Sequence, residues 1–327
     1  MRYIVFGAGA IGATIGGRLF ESGHTVTLIA RGKHYDALRS QGLRLADPDR
    51  TRTLPIPTVD RPDGVDWQDG DIVILAMKTQ HTVDALGQLV ASAPPSISVV
   101  CAQNGVENER LALRLFPNVY GMCVMLPATH LAPGAVEHYS MPVVGMLDLG
   151  RYPLGVDPTA TTIAGHLTES GFISRPELTI MRWKYAKLLN NVGNALDAAA
   201  GPEGRASDLN ARAKEEAIAC FRAAGIDYAS VEEDRAKRGD RMRFLPVEGR
   251  QHQGSSSWQS LARGTGSIES DYLNGEIVLL GRLHGVPTPV NRVLQDVAND
   301  MARTGAEPQS VSLDELNARL ETTAEPS

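Results

Sequence analysis

Short apolar runs alternate with segments of helical period through the first half of the chain. Tyr3–Phe6 and Thr25–Ile29 read as strands on either side of a helix over Ala10–Glu21 that stops at Gly23. Asp71–Ala76 (DIVILA) and Ile97–Ala102 are near-continuous apolar runs, as expected of parallel strands buried on both faces. A helix follows each, over Thr82–Val90 and Val106–Leu115, and a further strand is expected at Val119–Leu126. Leu43–Leu45 and Thr53–Ile56 read as a small antiparallel excursion. The repeated strand–helix alternation predicts a doubly wound α/β sheet.

From Glu177 the texture changes and strand signals disappear. Helical period carries 179–199, 208–224, 229–240, 255–263, 268–284 and 289–302, and the tail after Pro308 reads as a short helix. Gly and Pro interrupt the pattern between Gly171 and Pro176, so the expected division is an α/β domain over 1–174 and a mainly α-helical domain over 175–327.

Composition narrows the function classes. The 327 residues are 43% apolar and 21% charged, an ordinary globular balance that suffices for two cores. Lys and Arg total 32 against 38 Asp and Glu, and no basic stripe is visible, so a nucleic-acid partner is not expected. Cys101, Cys123 and Cys220 are widely spaced without a CxxC pair, which argues against a disulfide scaffold and fits a reducing compartment. The His residues lack HxxxH or HExxH spacing, so no metal site is expected. No apolar run approaches the ~18 residues of a membrane span, and no signal peptide precedes the strand at residue 3. These features predict a cytoplasmic protein with no membrane partner.

The chemistry starts directly after the first strand. Gly7-Ala8-Gly9-Ala10-Ile11-Gly12 is GxGxxG between a strand and a helix, the dinucleotide-binding setting of a Rossmann-type domain. In that reading Gly7 makes the tight turn, and Gly9 lets the backbone approach a pyrophosphate on the helix amino end. Gly12 lets helix and strand pack closely. The second strand ends Leu28-Ile29-Ala30-Arg31-Gly32-Lys33. The acid that would bind a ribose 2′-hydroxyl is missing and cations stand in its place, which favours NADP(H) over NAD; the alternative is a solvated loop.

Polar residues follow two more strands: Lys78 after DIVILAM, and Asn104 in Gln103-Asn104-Gly105. Ligands sit beyond such carboxyl ends, so Lys78 could hold a cofactor phosphate or ribose, and Asn104 a ribose together with a substrate oxygen. An ordinary loop Lys and a turn-forming Asn-Gly are the alternatives. In the second half, Lys187, Asn190, Asn191 and Asn194 recur at helical spacing on an otherwise apolar segment, so they are expected to share one face. Buried, they would need a polar partner, either a ligand or water and another polar helix. Lys184, one turn earlier, could share that face. Ser255-Ser256-Ser257 and Glu269 in Glu269-Ser270-Asp271-Tyr272-Leu273-Asn274-Gly275 form a second polar region. In a first helical turn Glu269 would stay ionised and suit orienting a Lys ammonium.

Together these segments resemble the ketopantoate reductase (2-dehydropantoate 2-reductase) family over nearly the whole chain. The resemblance rests on GAGAIG, Arg31, Met77-Lys78, Gln103-Asn104-Gly105, the Trp/Lys/Asn helix, the serine run, and ESDYLNG continuing to GVPTPVN. It implies NADPH-dependent reduction of a 2-oxo acid such as 2-dehydropantoate, in pantothenate biosynthesis, with the cofactor on the N-terminal domain and substrate in the cleft. It further implies that Lys187 is the proton donor, with Lys184 the alternative. Asn191, Asn194 and Ser257 would bind substrate, Lys78 and Asn104 would touch NADP, and Glu269 would serve both catalysis and cofactor. Asn104 would also reach substrate. Two features depart from the family pattern: an Asn falls seven rather than eight residues after Lys187, and Gly121–Leu131 with Pro133–His138 does not match the usual segment. Another carbonyl substrate, or a non-catalytic NADP(H)-binding sensor, are the competing functions. A helical second domain often pairs, which admits a homodimer.

Overall fold

The computed structural model describes residues 1–264 and 266–324. In chain order the first elements are β1 (Arg2–Phe6), α1 (Ala10–Glu21), β2 (Thr25–Ile29), α2 (Gly32–Gln41), β3 (Leu43–Ala46), β4 (Thr51–Leu54) and β5 (Thr58–Val59). They continue with β6 (Ile72–Leu75), α3 (Thr82–Ser92), β7 (Ser98–Cys101), α4 (Asn108–Leu113) and β8 (Asn118–Met125). Then come β9 (Ala128–Ala132), β10 (Ala135–His138), β11 (Ser140–Pro142), β12 (Met146–Arg151) and α5 (Pro158–Glu169). The remainder is α6 (Ile180–Asn191), α7 (Asn194–Ala206), α8 (Asp208–Ala223), α9 (Val231–Arg238), β13 (Met242–Phe244), α10 (Ser256–Ala262), α11 (Asn274–His284), α12 (Pro289–Thr304) and α13 (Leu313–Ala324). Residues 325–327 of the expected tail lie outside the described residues.

The chain packs as two compact units. One comprises Met1–Lys184 with Val231–His252, the other Tyr185–Ser230 with Gln253–Ser327. The boundary expected at 174/175 therefore falls inside the first unit, and the expected helix at 229–240 belongs to that unit too. Side chains explain the return of the segment. The Arg182 guanidinium binds Glu233 through two 2.8 Å bonds, and Lys237 reaches Asp148 at 2.7 Å and lies 3.5 Å over the Trp183 ring. β13 pairs antiparallel with β11, a strand in a region where helices alone were expected.

The first unit carries a seven-stranded sheet in the order β12-β8-β7-β6-β1-β2-β5, parallel except for β12 against β8. The fold class is the expected one, a Rossmann-type doubly wound sheet followed by a mainly α-helical unit. The winding direction reverses between β1 and β6, so the crevice beyond their carboxyl ends is the switch point where such sheets bind ligands. β1 (RYIVF) and β6 (IVIL) are apolar throughout because helices cover both faces: Tyr3 and Val5 pack with Ile15 and Leu19 of α1, and Ile4 and Val73 with Leu86 and Leu89 of α3. Each such side chain is worth about 1.5–3 kcal/mol when fully buried.

The antiparallel excursion of β3 and β4 is present and forms half of a second sheet, β4-β3-β10-β9. His138 at the end of β10 is fully buried beside Asp47, Arg18, Arg52 and Glu21. Burial is the main cause that pushes its imidazole down to about 4, with Arg18 and Arg52 adding to it against Asp47 and Glu21. The folded protein thus keeps His138 neutral, while the unfolded chain takes up the proton near the ordinary value of 6.5. Its contribution is complete above pH ~6.5 and is lost as pH falls toward ~4, at no more than about 1.4 kcal/mol per pH step of one. Urea unfolding midpoints should fall over that window, and less steeply in His138→Gln; an identical slope would remove His138 as the cause.

Candidate active site

In the first unit the glycine turn sits at the switch point. Gly7 has φ +100°, and a Cβ there would lie 2.6 Å from Met77 N, so the turns after β1 and β6 touch backbone to backbone. A Cβ on Gly12 would meet Gly7 O at 2.2 Å and Val5 Cγ1 at 2.9 Å. Gly9 differs: nothing lies within 4 Å of its Cβ position. It is the N-cap of α1, whose amino end carries no side-chain cap and no acid in its first turn. Uncapped N–H groups and the positive end of the helix dipole, facing open space, suit a pyrophosphate. Ala8, Ala10 and Ile11 complete the turn.

Arg31, at the end of β2, is the exposed N-cap residue of α2, and its guanidinium has no ion pair or hydrogen bond among the described residues. His34, three residues on, holds the turn from behind. Its Nε2–H donates to Ala8 O at 2.6 Å while Nδ1 accepts from Gly134 N at 2.9 Å, which fixes the tautomer. Burial pushes its pKa down, in keeping with a neutral ring. Nothing in the local sequence marks His34, because both partners are distant.

The turns after β6 and β7 are bound into one buried polar network. Thr79 Oγ1 donates to Asn104 O at 3.4 Å, Asn108 Nδ2 to the same oxygen at 3.0 Å, and Thr82 Oγ1 to Asn108 Oδ1 at 2.7 Å. Gln103 Nε2 donates to Thr82 Oγ1 at 2.7 Å. Lys78 immediately precedes Thr79, so Lys78 and Asn104 flank this network, as strand-end residues should. Lys184 lies in the same unit, 3% exposed, donating to Gln103 O at 3.1 Å and paired with the fully buried Glu109.

The second unit holds the other candidates. The helix expected over 179–199 is broken: α6 ends at Asn191, Val192-Gly193 intervene, and α7 begins at Asn194. The four-residue polar face is therefore not one face. Lys187 is half-buried and Asn191 buried one turn later, whereas Asn190 is exposed. Two distant residues accompany the break. Asn274 Nδ2 donates to Val192 O at 3.0 Å, and Asn210 occupies the space where a Gly193 side chain would be, 2.6 Å from its Cβ position.

Asn194 instead meets the serine run. Its Nδ2 lies 3.5 Å from Ser256 Oγ, and its carbonyl accepts from Ser255 Oγ at 3.3 Å. Ser255 also caps α10, and its N–H donates to Asp197 at 2.6 Å, which places Ser257, buried, in the first turn. The Asn191 amide nitrogen is buried without an acceptor among the described residues. Glu269 is buried too, at the start of a 3₁₀ turn, Glu269–Tyr272, rather than in the first turn of a long helix. The ESDYLNG motif is fastened from α12: Gln295 and Asn299 each donate to Asp271 Oδ1 at 2.7 Å, and Asn291 Oδ1 accepts from Asn274 at 3.0 Å. Asn291 is itself bound by Glu216, whose carboxylate caps the amino end of α12.

A glycine turn that opens an uncapped helix at the switch point of a doubly wound sheet defines a dinucleotide-binding protein of the Rossmann type. Two family models narrow this. "Ketopantoate reductase PanE/ApbA" matches residues 3–151, and "Ketopantoate reductase PanE/ApbA C terminal" matches residues 179–302. The chain belongs to the ketopantoate reductase family, and so is an oxidoreductase that works with a nicotinamide cofactor. It is 27% identical to the 2-dehydropantoate 2-reductase of Halobacterium salinarum, over 93% of this chain and 100% of that one. It is 26% identical to that of Pyrococcus horikoshii, over 90% and 95%. Among solved structures, a PanE/ApbA family ketopantoate reductase from Ralstonia eutropha superposes with a TM-score of 0.77 at 28% identity, covering 93% of this chain and 99% of that one. D-mandelate dehydrogenase with NADH and anilino(oxo)acetate shares the fold, with a TM-score of 0.80 at 24% identity over 93% and 99%. No helix among the described residues is long and apolar enough to cross a membrane.

Proposed function

We propose that this protein reduces a 2-oxo acid with NADPH, with 2-dehydropantoate as the first substrate to test. The observation that carries the reading is the open, uncapped amino end of α1 at Gly9. The residues present fit the cofactor: Gly7–Gly12 would hold the pyrophosphate, Arg31 the 2′-phosphate, and Lys78 and Asn104 the ribose on the nicotinamide side. The 2-oxo acid follows from the activity named for the relatives, and the buried, unpaired amide of Asn191 supports a polar ligand in the second unit.

Bound NADPH supplies a hydride to the carbonyl carbon. Lys187 gives its proton to the carbonyl oxygen, where negative charge grows, so the ammonium favours the transition state over the ground state. Glu269 orients that ammonium. Asn191, Asn194 and Ser257 hold the substrate carboxylate and hydroxyl. Lys184 does not suit the donor role, because Glu109 and the Gln103 carbonyl already occupy its amine.

Cofactor choice is tested at Arg31. A charge-assisted hydrogen bond is worth about 1.5–3 kcal/mol, so Arg31→Ala should raise KM for NADPH roughly 10- to 100-fold and leave KM for NADH unchanged. Equal effects on both nucleotides would remove Arg31 from the 2′-phosphate. Activity itself is tested by following NADPH consumption against ketopantoate, other branched 2-oxo acids and simple ketones. Tight NADPH binding without turnover of any of them would favour a sensor.

A further inference from the structure

One charged pair in the first unit has no part in the chemistry above. Glu109 is 0% exposed and Lys184 3%, and they form an ion pair across 75 residues of chain. In sequence Glu109 stands in Val106-Glu107-Asn108-Glu109-Arg110, which reads as a solvated helix start; in the fold it is fully buried in the first turn of α4. Taking both charges out of water costs several kcal/mol each, and an apolar pair of similar volume would serve stability as well or better. Fold stability alone thus gives no account of the pair.

What the pair touches does. Lys184 Nζ donates to the carbonyl of Gln103, the residue before Asn104. The Gln103 side chain and the Asn104 carbonyl are held by Thr82, Thr79 and Asn108, and Gly105 turns the chain with φ +77°. The Gln103-Asn104-Gly105 turn is thereby fixed on one side by neutral hydrogen bonds and on the other by a buried ammonium. β8 makes room for this: a Cβ on Gly121 would lie 3.2 Å from Glu109 Oε1 and 3.5 Å from Lys184 Cδ.

We propose that Lys184 and Glu109 are a positioning pair. Glu109 holds the Lys184 ammonium in place, and Lys184 locks the Gln103 carbonyl and so sets how the Asn104 side chain is presented at the end of β7. The proposal rests on the reading that Asn104 meets cofactor and substrate.

The test is the double variant Lys184→Met/Glu109→Leu, which removes both buried charges together. Its thermal midpoint should stay near that of the wild type. In the protein without ligand, amide exchange at Asn104 and Gly105 should quicken while the β7 amides stay protected. With NADPH and 2-oxo acid, kcat/KM should fall by up to about 100-fold, as expected when a positioned group is misplaced by an ångström or so. Should that variant fail to fold, Gly121→Ala crowds the same carboxylate with its charges kept, and the same quickening is expected there. Unchanged exchange and unchanged kcat/KM in a folded variant would overturn the proposal. A wild-type protein that binds no reduced nicotinamide nucleotide would instead defeat the reading of Asn104, and the exchange measurement would still decide whether the pair locks the turn.

Discussion

Lys187→Ala should lower turnover by roughly 10²–10⁴-fold, the usual worth of a positioned general acid, with NADPH affinity little changed. The expectation follows from the role proposed for Lys187 and from what its neighbour is already doing. Lys184 and Lys187 occupy successive turns of α6, and the Lys184 amine is committed to a buried carboxylate and a backbone carbonyl. The two lysines should therefore give different signatures. With Lys187 as the proposed donor, its loss removes the proton and the charge beside the developing oxyanion, so kcat should fall while nucleotide titrations stay the same. Loss of Lys184 alone leaves Glu109 buried without its partner, so the thermal midpoint falls as well. Stopped-flow and equilibrium nucleotide binding on both variants separate the cases. Wild-type turnover in Lys187→Ala would place the proton donor elsewhere.

Gly9→Ala and Gly12→Ala should part company just as clearly, although only Ala10 and Ile11 separate them. A methyl at Gly12 lands 2.2 Å from the Gly7 carbonyl and 2.9 Å from Val5, neither of which can withdraw without moving α1 off β1. Overpacking of this kind costs about 1–3 kcal/mol even where side chains can give, and here the obstacle is backbone. Gly12→Ala should lose stability and cofactor binding together. The methyl of Gly9→Ala projects into open space, so the thermal midpoint should hold while nucleotide affinity falls, because the ligand now meets a side chain where it met backbone. Thermal melts with and without NADPH read both effects. A Gly9→Ala protein that binds NADPH as tightly as the wild type would take the pyrophosphate away from this turn.

Much of the first unit was legible because its signals are local. The apolar run before GAGAIG and the helical period after it mark β1 and α1, and the expected Ala10–Glu21 and Thr25–Ile29 are the observed α1 and β2. Residues 128–176 gave no such signal. Their strands are short and are divided among three sheets, and β10 pairs parallel with β3, which lies far back in the sequence. The polar face on the 179–199 segment shows the limit from another side. Val192 and Gly193 continue the apolar pattern, so periodicity runs straight through a break whose neighbours, Asn274 and Asn210, come from α11 and α8. Candidate residues behaved alike. Gly7–Gly12 and Arg31 are readable from strand, turn and spacing, whereas His34 and Glu109 look like ordinary surface residues until Ala8, Gly134 and Lys184 arrive from elsewhere in the chain.

The most direct test of the account is the initial rate of reduced-nicotinamide oxidation by the wild-type protein with 2-dehydropantoate, run side by side with NADPH and with NADH. Rapid, saturable oxidation of NADPH is expected, with much slower oxidation of NADH at equal concentration and equimolar formation of the 2-hydroxy acid. Saturable NADPH binding with no oxidation by 2-dehydropantoate or any other 2-oxo acid would contradict it.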